Sequence, residues 1–238
     1  GPSVLATGDW YRLAVVEEGI YVLTASYLRA AGINPASVDP RTIKIHGNGG
    51  AEVPENILLA RPTDLVENAI YIEGESDGRF DEGDYVLFFG RSVRNWKLNT
   101  SSHLLDHRIH HYTEQNYYWL TYGGGTGKRM SVQQSLSDNP AAVPAKFLDM
   151  VLIEEETSNL LSSGKDWFGR SYAPGSSFTY VNLLPGLVQN DVITYRFRLI
   201  ARSNVAPAFA VRENGTLLGT YGLGEVYYES PNQYASEG

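Results

Sequence analysis

No apolar run in this chain is long, and that shortness rules out most folds. Strand-favouring residues such as Tyr11, Val15, Ile20, Val22, Tyr85 and Phe89 come in brief stretches closed by glycine, proline, asparagine or aspartate. Tyr85 to Phe89, among the longest, falls far short of the roughly 20 apolar residues that cross a bilayer as a helix, so no direct membrane span is expected. With 24 glycines and 11 prolines as punctuation, the chain has room for strands and hairpins and little room for helix.

From the start, Trp10 to Val15, the turn Glu17-Glu18-Gly19 and Ile20 to Leu23 read as a strand, a turn and a strand, that is, a hairpin. Thr24 or Ser26 can cap a helix of about two turns through Tyr27, Leu28 and Ala31, with Gly32 where a left-handed residue ends it. Thr42 to His46 reads as a strand running into the turn-prone Gly47-Asn48-Gly49-Gly50. Ala69 to Glu73 and Tyr85 to Phe89 are further strands on either side of an acidic segment, and Asn116 to Tyr122 is another.

Asp138-Asn139-Pro140-Ala141-Ala142-Val143-Pro144 has the character of a connection between domains. The fold class expected is therefore mainly β: an N-terminal β-rich domain with a short helix over 4–137, then a β-sandwich-like domain over 145–238. Strands of the second are expected at Phe147 to Glu154, Phe178 to Asn182, Val192 to Ala201, Ala208 to Arg212 and Leu217 to Tyr221, with Asn214-Gly215 as a hairpin turn. The polar tail from Pro231 to Gly238 implies a sandwich short of strands or one cut just before a further domain. No repeat of 20 to 50 residues is present, which removes the sequence support for solenoids and propellers.

Composition excludes several functions. A formal charge of −8 repels phosphate backbones and anionic lipid, so nucleic acid is not an expected partner. Zero cysteines exclude disulfides, thiolate metal sites and a cysteine nucleophile within this stretch. The hydrophobic fraction of 42% is that of a folded protein. Gly1-Pro2-Ser3 reads as the scar of a cleaved purification tag, so a missing signal peptide carries no information on export.

The sharpest local motif runs from Glu73 to Asp84. It matches a twelve-residue calcium loop: oxygen ligands from Glu73, Glu75, Asp77, Asp81 and Asp84, the backbone carbonyl of Arg79, and Gly78 for the sharp turn. Glu stands first where Asp is usual, Asp stands last where Glu is usual, and the flanks are strands; the other reading is a solvated acidic hairpin loop. Calcium is the one cofactor the residues suggest, and either role is structural.

His103, His107, His110 and His111 cluster in sequence; on a strand His107 and His111 would share a face with His110 opposite, and a zinc site would need ligands from elsewhere. Gly123 to Arg129 lacks the first glycine and the final Ser or Thr of a phosphate loop, which leaves a flexible turn. Tyr117, Tyr118, Trp119, Tyr227 and Tyr228 could stack on sugars or fill a core.

One resemblance spans most of the chain in order. It rests on Gly8 to Val15, Glu18 to Tyr21, Ala31 to Pro35, Ile45 to Gly50, Asp77 to Gly90 and Ser163 to Gly169, and through these the chain resembles PorU-type, gingipain-like cysteine peptidases. Members use a Cys and His pair and serve as signal peptidase or sortase of the type IX secretion system, so the resemblance implies an exported protein at the cell surface or outer membrane. No catalytic residue carries over, because this chain has no cysteine. The resemblance thus implies a non-catalytic N-terminal accessory region whose partners are a downstream peptidase domain of the same protein and outer-membrane secretion components. The competing reading is a stand-alone adhesion or carbohydrate-binding β-sandwich.

Overall fold

The structure, a computed structural model, describes residues 1–101, 104–136, 139–140, 142–161, 166–227 and 234–238. It divides into two compact units, Gly1–Asp138 and Asn139–Gly238. Among the described residues there is one α-helix, and the named strands pair antiparallel, so the chain is mainly β as its short runs imply.

Among its described residues the first unit holds nine strands: β1 Tyr11–Val15, β2 Gly19–Thr24, β3 Lys44–His46, β4 Glu67–Asn68, β5 Tyr71–Glu73, β6 Tyr85–Gly90, β7 Arg94–Asn99, β8 Leu104–Ile109 and β9 Asn116–Thr121. They form a four-stranded sheet ordered β1-β9-β3-β4, a three-stranded sheet ordered β2-β6-β5 and the β7-β8 hairpin. The expected β1-β2 hairpin does not exist. Both strands form where expected, but β1 pairs with β9 from Tyr11 opposite Leu120 to Val15 opposite Asn116, while β2 pairs with β6 from Gly19 opposite Gly90 to Thr24 opposite Tyr85. The distant partners bring more apolar surface than a local hairpin would, and they let the two strands cover one core from opposite sides.

That core takes Leu13, Val15, Ile45, Tyr118 and Leu120 from the first sheet and Leu23, Ile72, Val86 and Phe88 from the second, all buried. The rings of Phe88 and Tyr118 meet across it at 5.3 Å between centroids. The helix, α1 (Ala25–Ala30), is capped by Thr24, whose side chain accepts from the Tyr27 N–H at 3.3 Å; Gly32 then takes φ 83°. Ala25 and Leu28 bury its inner face in the same core.

In the second unit β10 (Ile200–Ala201) pairs with β13 (Ser236–Glu237), and β11 (Ala208–Glu213) with β12 (Thr216–Gly222). Asn214 and Gly215 turn the second pair with φ 48° and 87°, the left-handed values an Asn-Gly hairpin turn requires. Phe147 to Glu154, Phe178 to Asn182 and Val192 to Leu199, expected as strands, lie outside the ladders. Composition can favour extended backbone, but a strand exists only where a neighbour takes up its N–H and C=O groups in a ladder; of these runs Leu199 alone exchanges such bonds, with Gly238 at 2.8 and 3.0 Å beside the β10–β13 pair, among the described residues.

Candidate functional site

The acidic segment closes a tight hairpin, with Glu73 on β5 opposite Tyr85 on β6. Gly74 and Gly78 sit at φ 86° and 77° on either side of a single 3-10 turn, Glu75–Asp77. Three of the segment's acidic groups accept hydrogen bonds from within the hairpin or its strands, while Glu82 pairs with Arg29 of α1. Glu73 accepts from the Tyr71 hydroxyl; Asp77 accepts from the Arg79 N–H at 2.9 Å and Asp84 from the Asp81 N–H at 2.7 Å. Glu75 turns away to the Arg129 guanidinium at 2.8 Å. Among the described residues no three acidic or histidine side chains gather as a metal ion would need. Calcium titration separates the two readings of the segment: a melting temperature several degrees higher in millimolar calcium than in EDTA would mark a cation site, and equal values would mark a solvated acidic hairpin loop.

Arg129 is the residue whose importance the sequence hid, since there it was only a departure from a phosphate-loop pattern. Its guanidinium donates to the carbonyls of Pro40 at 3.0 Å, Arg41 at 2.9 Å, Ile43 at 3.3 Å and Lys128 at 3.2 Å, and to Glu75. A planar fork with five N–H groups can satisfy so many acceptors at once. Gly127 follows the same backbone: its N–H donates to Arg41 O at 3.0 Å, and a Cβ there would lie 2.3 Å from Ile43 O. The Gly-rich segment is thus a fitted brace under the acidic hairpin.

Of the clustered histidines, His103 lies outside the described residues. His107, on β8, packs edge-on to Trp96 with centroids 4.8 Å apart, and burial pushes its pKa down. The expected shared face of His107 and His111 is replaced by a different pairing, because β8 ends at Ile109 and strand alternation no longer governs the residues after it. His110 and His111 instead both approach Glu52, at 3.7 Å and 2.7 Å from Nδ1 to Oε1. The His111 N–H and ring hold the Glu52 carboxyl below its ordinary range. The trio pins the long loop between β3 and β4 to the connection between β8 and β9.

His46 went unnoticed in the sequence because a lone histidine in a strand carries no spacing signal. It is buried, edge-on to Trp10 with centroids 5.2 Å apart, and its Nδ1 has no hydrogen-bond partner among the described residues. Burial lowers its pKa, so the folded state favours the neutral ring. A folded pKa below the unfolded one gives stability that is present at high pH and lost as pH falls through the ordinary histidine range. Urea unfolding of the chain should therefore show lower stability at pH 5 than at pH 7, and His46→Phe should flatten part of that slope.

A cleft of about 430 Å³ opens beside the Gly47-Asn48-Gly49-Gly50 turn. The turn is laced to the return of the long loop: the Gly47 N–H donates to Val66 O at 2.9 Å, the Val66 N–H donates to Asn48 Oδ1 at 3.0 Å, and Asn68 Nδ2 donates to Gly47 O at 3.0 Å. Phe89 and Arg91, at and just beyond the end of β6, form the other wall, and the Arg91 N–H donates to the Tyr118 hydroxyl at 3.0 Å.

Tyr117, Tyr118 and Trp119 do not form one platform. Strand alternation sends Tyr118 into the core, with Tyr117 and Trp119 on the other face of β9, where the Arg12 guanidinium lies 4.7 Å from the Tyr117 centroid. Tyr227 is exposed and donates to Glu225 at 2.5 Å. Tyr228 lies outside the described residues, as do Ser163, Gly164 and Lys165 of the Ser163 to Gly169 stretch.

No family model matches the chain, and no curated protein matches it in sequence. Its fold is similar to that in the crystal structure of dimeric latent PorU from Porphyromonas gingivalis, with a TM-score of 0.56 and 21% sequence identity. The similarity covers 98% of this chain and 21% of the PorU chain, so the sequence spans about a fifth of that structure's length. Both units of the chain fall within so complete a cover.

Proposed function

We propose that this chain is a non-catalytic accessory region of a type IX secretion signal peptidase, a cysteine endopeptidase of the gingipain family whose catalytic domain lies downstream. The observation that carries the reading is the match in fold to PorU over 98% of the chain, joined to a sequence with no cysteine to serve as nucleophile. The region positions or docks the protease. Its partners are the peptidase domain of the same protein and outer-membrane type IX secretion components, and it works on the exported, cell-surface side of the outer membrane. No helix among the described residues is long and apolar enough to cross a membrane.

The test is to express the full natural gene product and assay thiol-dependent peptide cleavage beside the 238-residue chain and a variant lacking the downstream cysteine. The expected result is activity in the full product, none in the cysteine variant and none in the isolated chain. A natural product without a Cys and His pair would refute the reading.

A further inference from the structure

We propose that the cleft beside Gly47–Gly50 binds a peptide carboxylate, with Arg91 as its charged partner. Arg91 is exposed and makes no ion pair among the described residues; its guanidinium lies 5.9 Å from the Phe89 ring centroid, which orients it without neutralising it. A Cβ on Gly49 would stand 3.3 Å from Arg91 Cδ, a tight contact that the glycine avoids. A guanidinium fork is shaped to take a carboxylate through two parallel hydrogen bonds.

Further donors point to the same ligand. The backbone N–H groups of Asn48 and Gly49 have no partner among the described residues, and such groups in a turn complement an anion. The nearby acids are already engaged: Asp64 accepts from Ser3, from the Val4 N–H and from the Leu65 N–H, and Glu67 accepts from the Lys128 N–H at 2.6 Å. Neither is left to claim Arg91. Phe89 and Val66 add exposed apolar surface at the cleft, which favours a carboxylate carried between apolar side chains. The volume of about 430 Å³ suits a few residues of peptide. A single guanidinium on a chain of charge −8 also fits a monoanion better than a phosphate dianion. The inference stands apart from the proposed accessory role.

The experiment is an NMR titration of the 238-residue chain with three probes: acetyl-Leu-Leu as the free acid, the same peptide as its amide, and acetyl-Leu-Glu-Leu-amide. The free acid should bind with a Kd of about 1 mM or tighter and shift the amide signals of Asn48 and Gly49, with the neutral amide at least tenfold weaker. Binding of the free acid alone assigns the terminal carboxylate; binding of the Glu peptide as well assigns the carboxylate in either setting. Arg91→Gln should weaken binding about tenfold or more and Arg91→Lys less, both without a change in melting temperature, since the side chain is exposed. Equal binding of acid and amide, unchanged binding by Arg91→Gln, or no binding of either carboxylate would overturn the proposal.

Discussion

Arg129→Ala is expected to lower the stability of the first unit by about 3 kcal/mol, a fall of roughly 10 °C in melting temperature for a unit of this size. The side chain has five hydrogen-bond acceptors, the carbonyls of Pro40, Arg41, Ile43 and Lys128 and the Glu75 carboxylate. Truncation removes all of these bonds together, and the carbonyls lie where water replaces them poorly because Arg129 and Glu75 are both largely covered. Charged hydrogen bonds are each worth about 1.5–3 kcal/mol, but acceptors sharing one donor group do not add, which keeps the total near the upper end of one such bond. Arg129→Lys should recover only part of the loss, since an ammonium can meet Glu75 but cannot span the carbonyls. Differential scanning calorimetry of the three proteins decides the matter; a loss under about 0.5 kcal/mol for Arg129→Ala would mean that the brace is ornamental.

Gly47→Ala is the second large effect, with about 2–3 kcal/mol expected to be lost. A Cβ at Gly47 would stand 2.5 Å from Tyr118 Cδ1 and 2.7 Å from Cε1. The Tyr118 ring cannot step aside easily, because it is 1% exposed, touches Phe88 at 5.3 Å and holds the Arg91 N–H through its hydroxyl. Overpacking of a filled core forces ring or backbone to move. Gly83→Ala is the control: nothing lies within 4 Å of its Cβ position and its φ is outside the left-handed range, so a change of only a few tenths of a kcal/mol is expected. Chemical denaturation of both variants separates them, and equal stabilities would contradict the packing described.

Much of the site was not legible because its partners are far apart along the chain. Glu52 and His111 are 59 residues apart, Arg129 and Glu75 are 54 apart, and no periodicity links either pair. The acidic segment shows the complementary limit. Its spacing fits a cation cage, yet the fold gives Glu75 to Arg129 and turns Asp77 and Asp84 to local N–H groups. Spacing shows which residues can converge on a cation; which donors they also meet is set by the fold.

What the sequence alone determined was local. Thr24 and Gly32 delimit α1, Asn214-Gly215 turns β11 into β12, and alternation decides that Leu13, Val15, Val86 and Phe88 face inward, because these outcomes depend on backbone propensity and period-two geometry within a few residues. Only the tertiary structure decided the pairings. Tyr11 to Val15 was strand in either case, but whether it lay beside β2 or beside β9 turned on which arrangement buried Tyr118 and Leu120 against Phe88 and Val86. That choice is made by burial summed over distant segments, a quantity no short window of sequence contains.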